Sequence, residues 1–295
     1  MNVILIVGPT ASGKSALALR AAKGAGGEIV SADSRQVYRG MDIGTAKATP
    51  EEQRQMPHHC IDLVDPGEPY DAARYQRDGR TALAEIAARG RTAYLVGGTG
   101  LYVRALLDGL VLDAAPTDPA VRARLEARVL SEGGAALHRE LARIDPAAAE
   151  RVDPRNARRV VRYLELALLA GRVPRERGEP IDCPRIGLDP PRAWLDARID
   201  ARVRQMVDDG VLEETRGLLE HGLDPRLPSM TGHGYLHWAA HLGGELTLDA
   251  AIVATAKDVR AYSRRQMTWF RRDPRIRWVD PTALDPLSLL EGAAV

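Results

Sequence analysis

Apolar and polar positions change rhythm along this chain, and the changes divide it. The opening run VILIV (Val3–Val7) is uninterrupted, rich in β-branched residues and closed by Gly8, the pattern of a strand buried on both faces. EIVSAD (Glu28–Asp33), HHCIDLV (His58–Val64) and TAYLVGG (Thr92–Gly98) repeat that pattern. Between them, Ala73, Leu83, Ile86 and Ala87 mark a helix from about Asp71 to Arg89, and GLYVRALLDG reads as another. Strands alternating with helices predict an α/β fold, a parallel sheet flanked by helices on both faces. The alternation stops at Ala114–Ala115–Pro116–Thr117–Asp118–Pro119. Helical periodicity follows over Asp118–Leu130, Ala135–Arg143 and Asn156–Ala170, the last closed by Gly171. A loose segment, Val173–Pro184, leads to RIGLD, which reads as a short strand. Beyond it, Leu195, Ile199, Val203 and Met206 stripe one helix, and Leu248, Ile252, Thr255, Val259, Tyr262, Gln266 and Trp269 stripe a longer one. IRWVD (Ile276–Asp280) could close the sheet. The expected division is a first core part over 1–113, an all-helical inserted domain over 114–186 and a second, mostly helical core part over 187–295.

Composition narrows the setting without naming a function. With 45% hydrophobic and 27% charged residues, the chain has the make-up of a water-soluble globular protein. Cys60 and Cys183 stand at no metal-binding spacing, so a reducing compartment is expected. No signal peptide or membrane-spanning run is read, and a cytoplasmic protein is expected.

The chemistry begins where the first strand ends. Gly8–Pro9–Thr10–Ala11–Ser12–Gly13–Lys14–Ser15 fills every position of G-x-x-x-x-G-K-[ST], with a strand before it and the helical ALALRAA after it. The glycines let backbone N–H groups turn inward at a helix N-terminus, Lys14 adds positive charge, and the Ser15 hydroxyl suits Mg²⁺. This loop holds a di- or triphosphate.

Two more strand ends carry polar residues. Asp33 could accept a proton, ligate Mg²⁺ through water or cap the next turn. Thr99, where VGG opens into a helix, could bond a ligand or cap. His58 and His59 have no partner at ligand spacing and read as structural. Two arginine clusters stand out: Arg155, Arg158, Arg159, Arg162, Arg172, Arg175 and Arg177, and Arg260, Arg264, Arg265, Arg271, Arg272, Arg275 and Arg277. On a helix, 155, 158/159 and 162 share a face, which suits a polyanion or a solvated surface.

With SADSRQVYRGMDIGTAK (Ser31–Lys47), GPTASGKS, PHHCIDLVDP, LVGGTGLY, DPAVRARLE, LPSMTGHGY and RRQMTWFRRDPRIRW, the chain resembles the bacterial tRNA dimethylallyltransferases (tRNA isopentenyltransferases). These blocks stand in the family's order over nearly the whole length. The resemblance implies a P-loop core interrupted by a helical insertion that grips the tRNA anticodon stem-loop. It implies transfer of a dimethylallyl group from dimethylallyl diphosphate to N6 of the adenosine 3′ of the anticodon (tRNA position 37), with Mg²⁺ on Ser15; nothing in the sequence demands more than a monomer. It assigns Gly8 to Ser15 and Arg216 to the diphosphate, Asp33 as general base, and Thr99 and Lys14 as catalytic groups. It gives Asp33, Ser34, Arg35, Gln36, Thr99, Arg122, Arg158, Arg159 and Arg162 to tRNA. The chain departs from the family at Leu236, where a basic or polar residue is more common, and it has no C-terminal zinc-binding extension of the eukaryotic kind.

Other classes share parts of this pattern. A P-loop kinase needs the loop and a base but no long arginine-striped insertion. An adenylate isopentenyltransferase acting on free AMP needs neither the insertion nor the second cluster. A non-catalytic RNA-binding protein has no use for an intact loop with Asp33 and Thr99.

Overall fold

A computed structural model of the chain describes residues 1–110, 112, 116–173, 178–232 and 234–291. Ala114, Ala115, Arg175 and Arg177 lie outside them. In chain order the elements are β1 (Val3–Val7), α1 (Lys14–Ala25), β2 (Glu28–Ala32), α2 (Pro50–Gln55), β3 (His58–His59), α3 (Ala72–Ala88), β4 (Ala93–Gly97) and α4 (Gly100–Leu107). Then come α5 (Pro119–Glu132), α6 (Gly134–Ile144), α7 (Pro146–Ala149) and α8 (Ala157–Ala170). They are followed by β5 (Arg185–Leu188), α9 (Arg192–Asp208), α10 (Val211–Glu220), α11 (Tyr235–Leu242), α12 (Leu248–Phe270), β6 (Arg277–Val279) and α13 (Leu287–Glu291). Among the described residues no helix is long and apolar enough to cross a membrane.

Six strands form one sheet in the order β3-β2-β4-β1-β5-β6, every pairing parallel. The uninterrupted apolar runs have the predicted cause. Val3, Leu5 and Val7 pack towards Leu83, Ile86 and Leu106, while Ile4 and Ile6 pack towards Leu17, Ala18 and Ala21 of α1. Each such Leu or Ile side chain contributes about 1.5–3 kcal/mol on burial. Because β4 lies between β1 and β2, Gly97 is level with both Val7 and Ala32. The residues that follow these three, Gly98, Gly8 and Asp33, therefore emerge side by side at the carboxyl edge, where ligands of such sheets bind.

The third strand is shorter than expected. Only His58–His59 pair with β2, because Cys60 and Asp62 adopt positive φ (61° and 53°). The rest of HHCIDLV turns away to bond the segment after Asp33: the Leu63 and Val64 N–H groups both donate to Val37 O. What holds the turn is the buried Lys47 ammonium, 2.5 Å from Asp62 Oδ1 and 2.6 Å from Asp42 Oδ1.

The helical block forms a compact unit of its own, Gly109–Glu179; Met1–Asp108 and Pro180–Val295 form the other. The expected insert, 114–186, thus begins late and overruns, since Arg185 and Ile186 belong to β5 and face Leu5 and Ile6 of β1. Pro119 and Pro146 mark where α5 and α7 begin, not where the chain leaves the sheet. Within the unit, Leu125, Leu137, Leu141, Val160 and Leu164 make a separate core. Asp118 and Asn156 cap α5 and α8 with their side chains, as the predicted starts require.

Candidate active site

The loop after β1 is closed by tertiary partners as well as by its own glycines. Gly13 takes positive φ (93°) as the cap of α1, and Ala11 does so too (64°). A Cβ on Gly8 would press on the Leu188 carbonyl. Thr10 N–H donates to Gln266 Oε1 (2.9 Å), whose own amide donates to Gly98 O (3.2 Å), so α12 joins the ends of β1 and β4. Arg198 Nε donates to Ala11 O (3.0 Å). Lys14 Nζ lies 3.4 Å from Pro9 O.

Asp33 and Thr99 serve this edge differently. Asp33 Oδ1 accepts the Arg35 N–H (2.8 Å), a local turn that aims the carboxylate. Thr99 occupies the cap position of α4 but makes no capping bond. Its hydroxyl instead accepts the Ser34 N–H (3.0 Å) and hydrogen-bonds Tyr262. Gln36 Nε2 donates to Thr45 O (3.3 Å) and Ala46 O (3.1 Å), fixing the loop opposite.

These groups surround a small cavity of about 40 Å³ walled by Lys14, Ser15, Asp33, Gln36, Arg202 and Tyr262. Lys14, Ser15, Ala46 and Arg202 also wall a cleft of about 1030 Å³ on one side. On the other, Tyr262 also walls a pocket of about 340 Å³ with Ser34, Arg35, Leu236, His237 and Arg265. Burial and the neighbouring Arg202 lower the Lys14 pKa to about 8, against the opposite pull of Asp33. Arg202 is pushed down as well, first by burial. Cations are therefore packed closer than their own counter-charge allows, which is what a polyanion site requires.

Comparison with known proteins agrees. The pattern described as IPP transferase matches residues 36–273, and that described as isopentenyl transferase matches 1–62. A tRNA dimethylallyltransferase of Anaeromyxobacter dehalogenans (strain 2CP-C) is 50% identical, covering 98% of each chain. The chain belongs to the IPP transferase family. The crystal structure of the tRNA isopentenylpyrophosphate transferase of Bacillus halodurans superposes with a TM-score of 0.73 at 41% identity, over 99% of this chain and 94% of that one. A eukaryotic dimethylallyltransferase, described as acting on tRNA, gives 0.79 at 26% identity, over 100% and 77%. The expected family and α/β fold class are borne out.

Not every residue expected at an IPP transferase site gathers here. Arg216, on α10, is half-exposed and 3.5 Å from Glu213; it lines none of these three voids. Arg198 and Arg202 stand there instead. Their signal was in the sequence: each directly precedes a position of the Leu195–Ile199–Val203 stripe, so an i, i+4 arginine pair borders the buried face. Gln266 and Tyr262 were read only as members of the α12 stripe. In the helical unit, Glu165 is wholly buried and takes both Arg122 (2.8 Å) and Arg162 (2.7 Å). Arg155 is paired with Asp153 (2.9 Å). Arg158 and Arg159 are exposed with no carboxylate partner among the described residues, Arg159 lying over the Tyr163 ring. His58 and His59 bond Met56 O and Glu28, in keeping with structural roles.

Proposed function

We infer that the cavity between Lys14 and Asp33 is where a dimethylallyl group passes from its diphosphate to tRNA. The observation that carries this is the cavity that Asp33 shares with Lys14 and Ser15 of the phosphate loop, with a cationic cleft on one side and an arginine-bearing pocket on the other. The donor diphosphate lies on the loop N–H groups, Lys14, Arg198 and Arg202, and its allylic carbon points past Ala46 into the cavity. The target adenine, N6 of the nucleotide 3′ of the anticodon, enters flipped from the Arg35–Tyr262 pocket.

N6 forms its bond to C1 of the donor as the C1–O bond breaks, and that electron pair leaves with the diphosphate. Lys14, Arg202 and the loop stabilise the charge that grows there. The amine proton passes to Asp33. Thr99 holds the Ser34 backbone, and through it the Asp33 turn, in register with β4. A cavity this small leaves little room for water to intercept the allylic carbon.

Mg²⁺ fits this donor set. The Ser15 hydroxyl walls the cavity beside Lys14, and the ion characteristically takes one such protein oxygen with substrate phosphate oxygens and waters, leaving Asp33 free to take the proton. When bound it would neutralise the departing diphosphate. Among the described residues no three acidic, His or Cys side chains cluster as a cage, so the substrate supplies much of the coordination.

Phosphates of the anticodon stem-loop are held by Arg158 and Arg159 of the helical unit and by Arg264, Arg265 and Arg272 around Trp269 on α12. The enzyme works in the cytoplasm as a monomer. Mass spectrometry of nucleosides from tRNA incubated with the protein, dimethylallyl diphosphate and Mg²⁺ tests the reading: dimethylallylated adenosine is expected. A phosphorylated product formed from ATP, or transfer to free AMP alone, would overturn it.

A further inference from the structure

The loop Asp42–Lys47 walls the donor cleft through Ile43, Ala46 and Lys47, and Ala46 stands at the throat between cleft and cavity. It is held from behind. Glu214, on α10, lines neither void, yet its Oε2 accepts the N–H groups of Asp42 (2.8 Å) and Ile43 (2.7 Å). Its Oε1 accepts the Gly44 N–H (3.0 Å) and the Tyr235 hydroxyl (2.7 Å). Three consecutive N–H groups converging on one point make an anion-binding concavity, here filled by the chain's own carboxylate. Gly44 is required for this approach, since a Cβ there would run into the Tyr235 ring. Residues 45 and 46 then present their carbonyls to Gln36, four residues from the Gly8–Gly97–Ala32 edge that carries Asp33.

We propose that Glu214 is a positioning residue for the donor, its carboxylate serving as a built-in anion that sets the Ile43–Ala46 wall against which the dimethylallyl diphosphate lies. This rests on the donor occupying the Lys14–Arg202 cleft. An exposed surface glutamate holding a loop for stability alone would raise every parameter together. A wall-setting glutamate acts mainly on the donor and much less on tRNA.

The test uses the whole chain with Glu214→Ala and Glu214→Gln. In Glu214→Ala the donor KM rises roughly tenfold, as for a lost charge-assisted hydrogen-bond set, while the tRNA KM rises severalfold less, because tRNA is held mainly by arginines that touch neither Glu214 nor its loop. Sodium formate, against sodium chloride at equal ionic strength, refills the concavity, lowers that KM and raises the melting midpoint of Glu214→Ala but not of wild type. Glu214→Gln, whose amide nitrogen cannot accept and leaves no room, shows the raised KM without rescue. An unchanged donor KM in folded Glu214→Ala overturns the proposal, and so does a parallel rise in both KM values without a formate response. Where Glu214→Ala does not fold, Glu214→Gln and Tyr235→Phe carry the same KM comparison. Calorimetry of inorganic diphosphate on the wild type separates the two readings: no binding there refutes the donor cleft, while the formate-dependent melting shift still decides the clamp.

Discussion

The sheet-edge site and the helical unit use positive charge in opposite ways. Around the phosphate loop, Lys14, Arg198 and Arg202 have no salt-bridge partner among the described residues, and burial with mutual repulsion pulls Lys14 down to about 8. In the helical unit, buried Glu165 neutralises Arg122 and Arg162 and holds the Asp118 N–H at the start of α5. A buried cation without a counter-ion is costly. On the proposed reading a diphosphate supplies the missing charge in the core, whereas in the helical unit a buried carboxylate holds Arg122 and Arg162 and leaves Arg158 and Arg159, among others, without a carboxylate partner among the described residues. Counting arginines does not distinguish the two; finding each one's nearest carboxylate does.

The largest expected effect falls on the core. Asp33→Asn keeps the shape and a hydrogen bond but loses the base, and kcat should drop roughly 10²–10⁴-fold with folding intact. Near-normal turnover, read by nucleoside mass spectrometry over time, would reduce Asp33 to a turn-former. Lys14→Ala comes next. It should cost on the order of 10²–10³-fold in kcat/KM for the donor, divided between both parameters because the diphosphate is handle and leaving group alike. An effect confined to KM would mean that Lys14 holds ground and transition states equally.

The pH dependence sharpens the contrast. In the free enzyme Lys14 is charged below about 8 and loses its proton above it. Donor kcat/KM should therefore fall as pH rises through about 8, approaching roughly tenfold per unit, while a bound diphosphate holds the proton on and keeps kcat level to higher pH. A donor kcat/KM that is flat from pH 7 to roughly 9.5 would show that Lys14 stays charged without its ligand. tRNA binding by the helical unit should show no such break.

The smallest effects belong to the helical unit. Arg158→Ala with Arg159→Ala should weaken tRNA binding and flatten its log–log salt dependence by up to about 1.4–1.8 units, at 0.7–0.9 per phosphate contact. Arg122→Ala and Arg162→Ala should change the slope less and stability more, because each leaves Glu165 with one partner fewer. Equal salt slopes for both pairs would erase the distinction between free and neutralised arginines. Donor affinity, by calorimetry, should not move in either.

Much of this was legible because it is local. A short apolar run, rich in β-branched residues or closed by glycine, suits a doubly buried strand, so β1 and β4 were readable; a G-x-x-x-x-G-K-S loop between strand and helix dictates its own backbone; Asp118 and Asn156 cap the helices they precede. The family blocks likewise identified the chain. Tertiary structure alone decided the rest, because it depends on which distant groups meet. The HHCIDLV run has strand composition, but Lys47 and the Val37 carbonyl draw it into a turn. Thr99 is a cap by position, and only the neighbouring Ser34 and Tyr262 make it a brace between β4 and Asp33. Arg216 matched a motif yet lies on a solvent-facing part of α10, while Arg202, one residue off a buried stripe, reaches the loop. Periodicity tells which face of a helix is buried; which strand end that face is buried against is set by packing between segments about two hundred residues apart, and no local pattern encodes it.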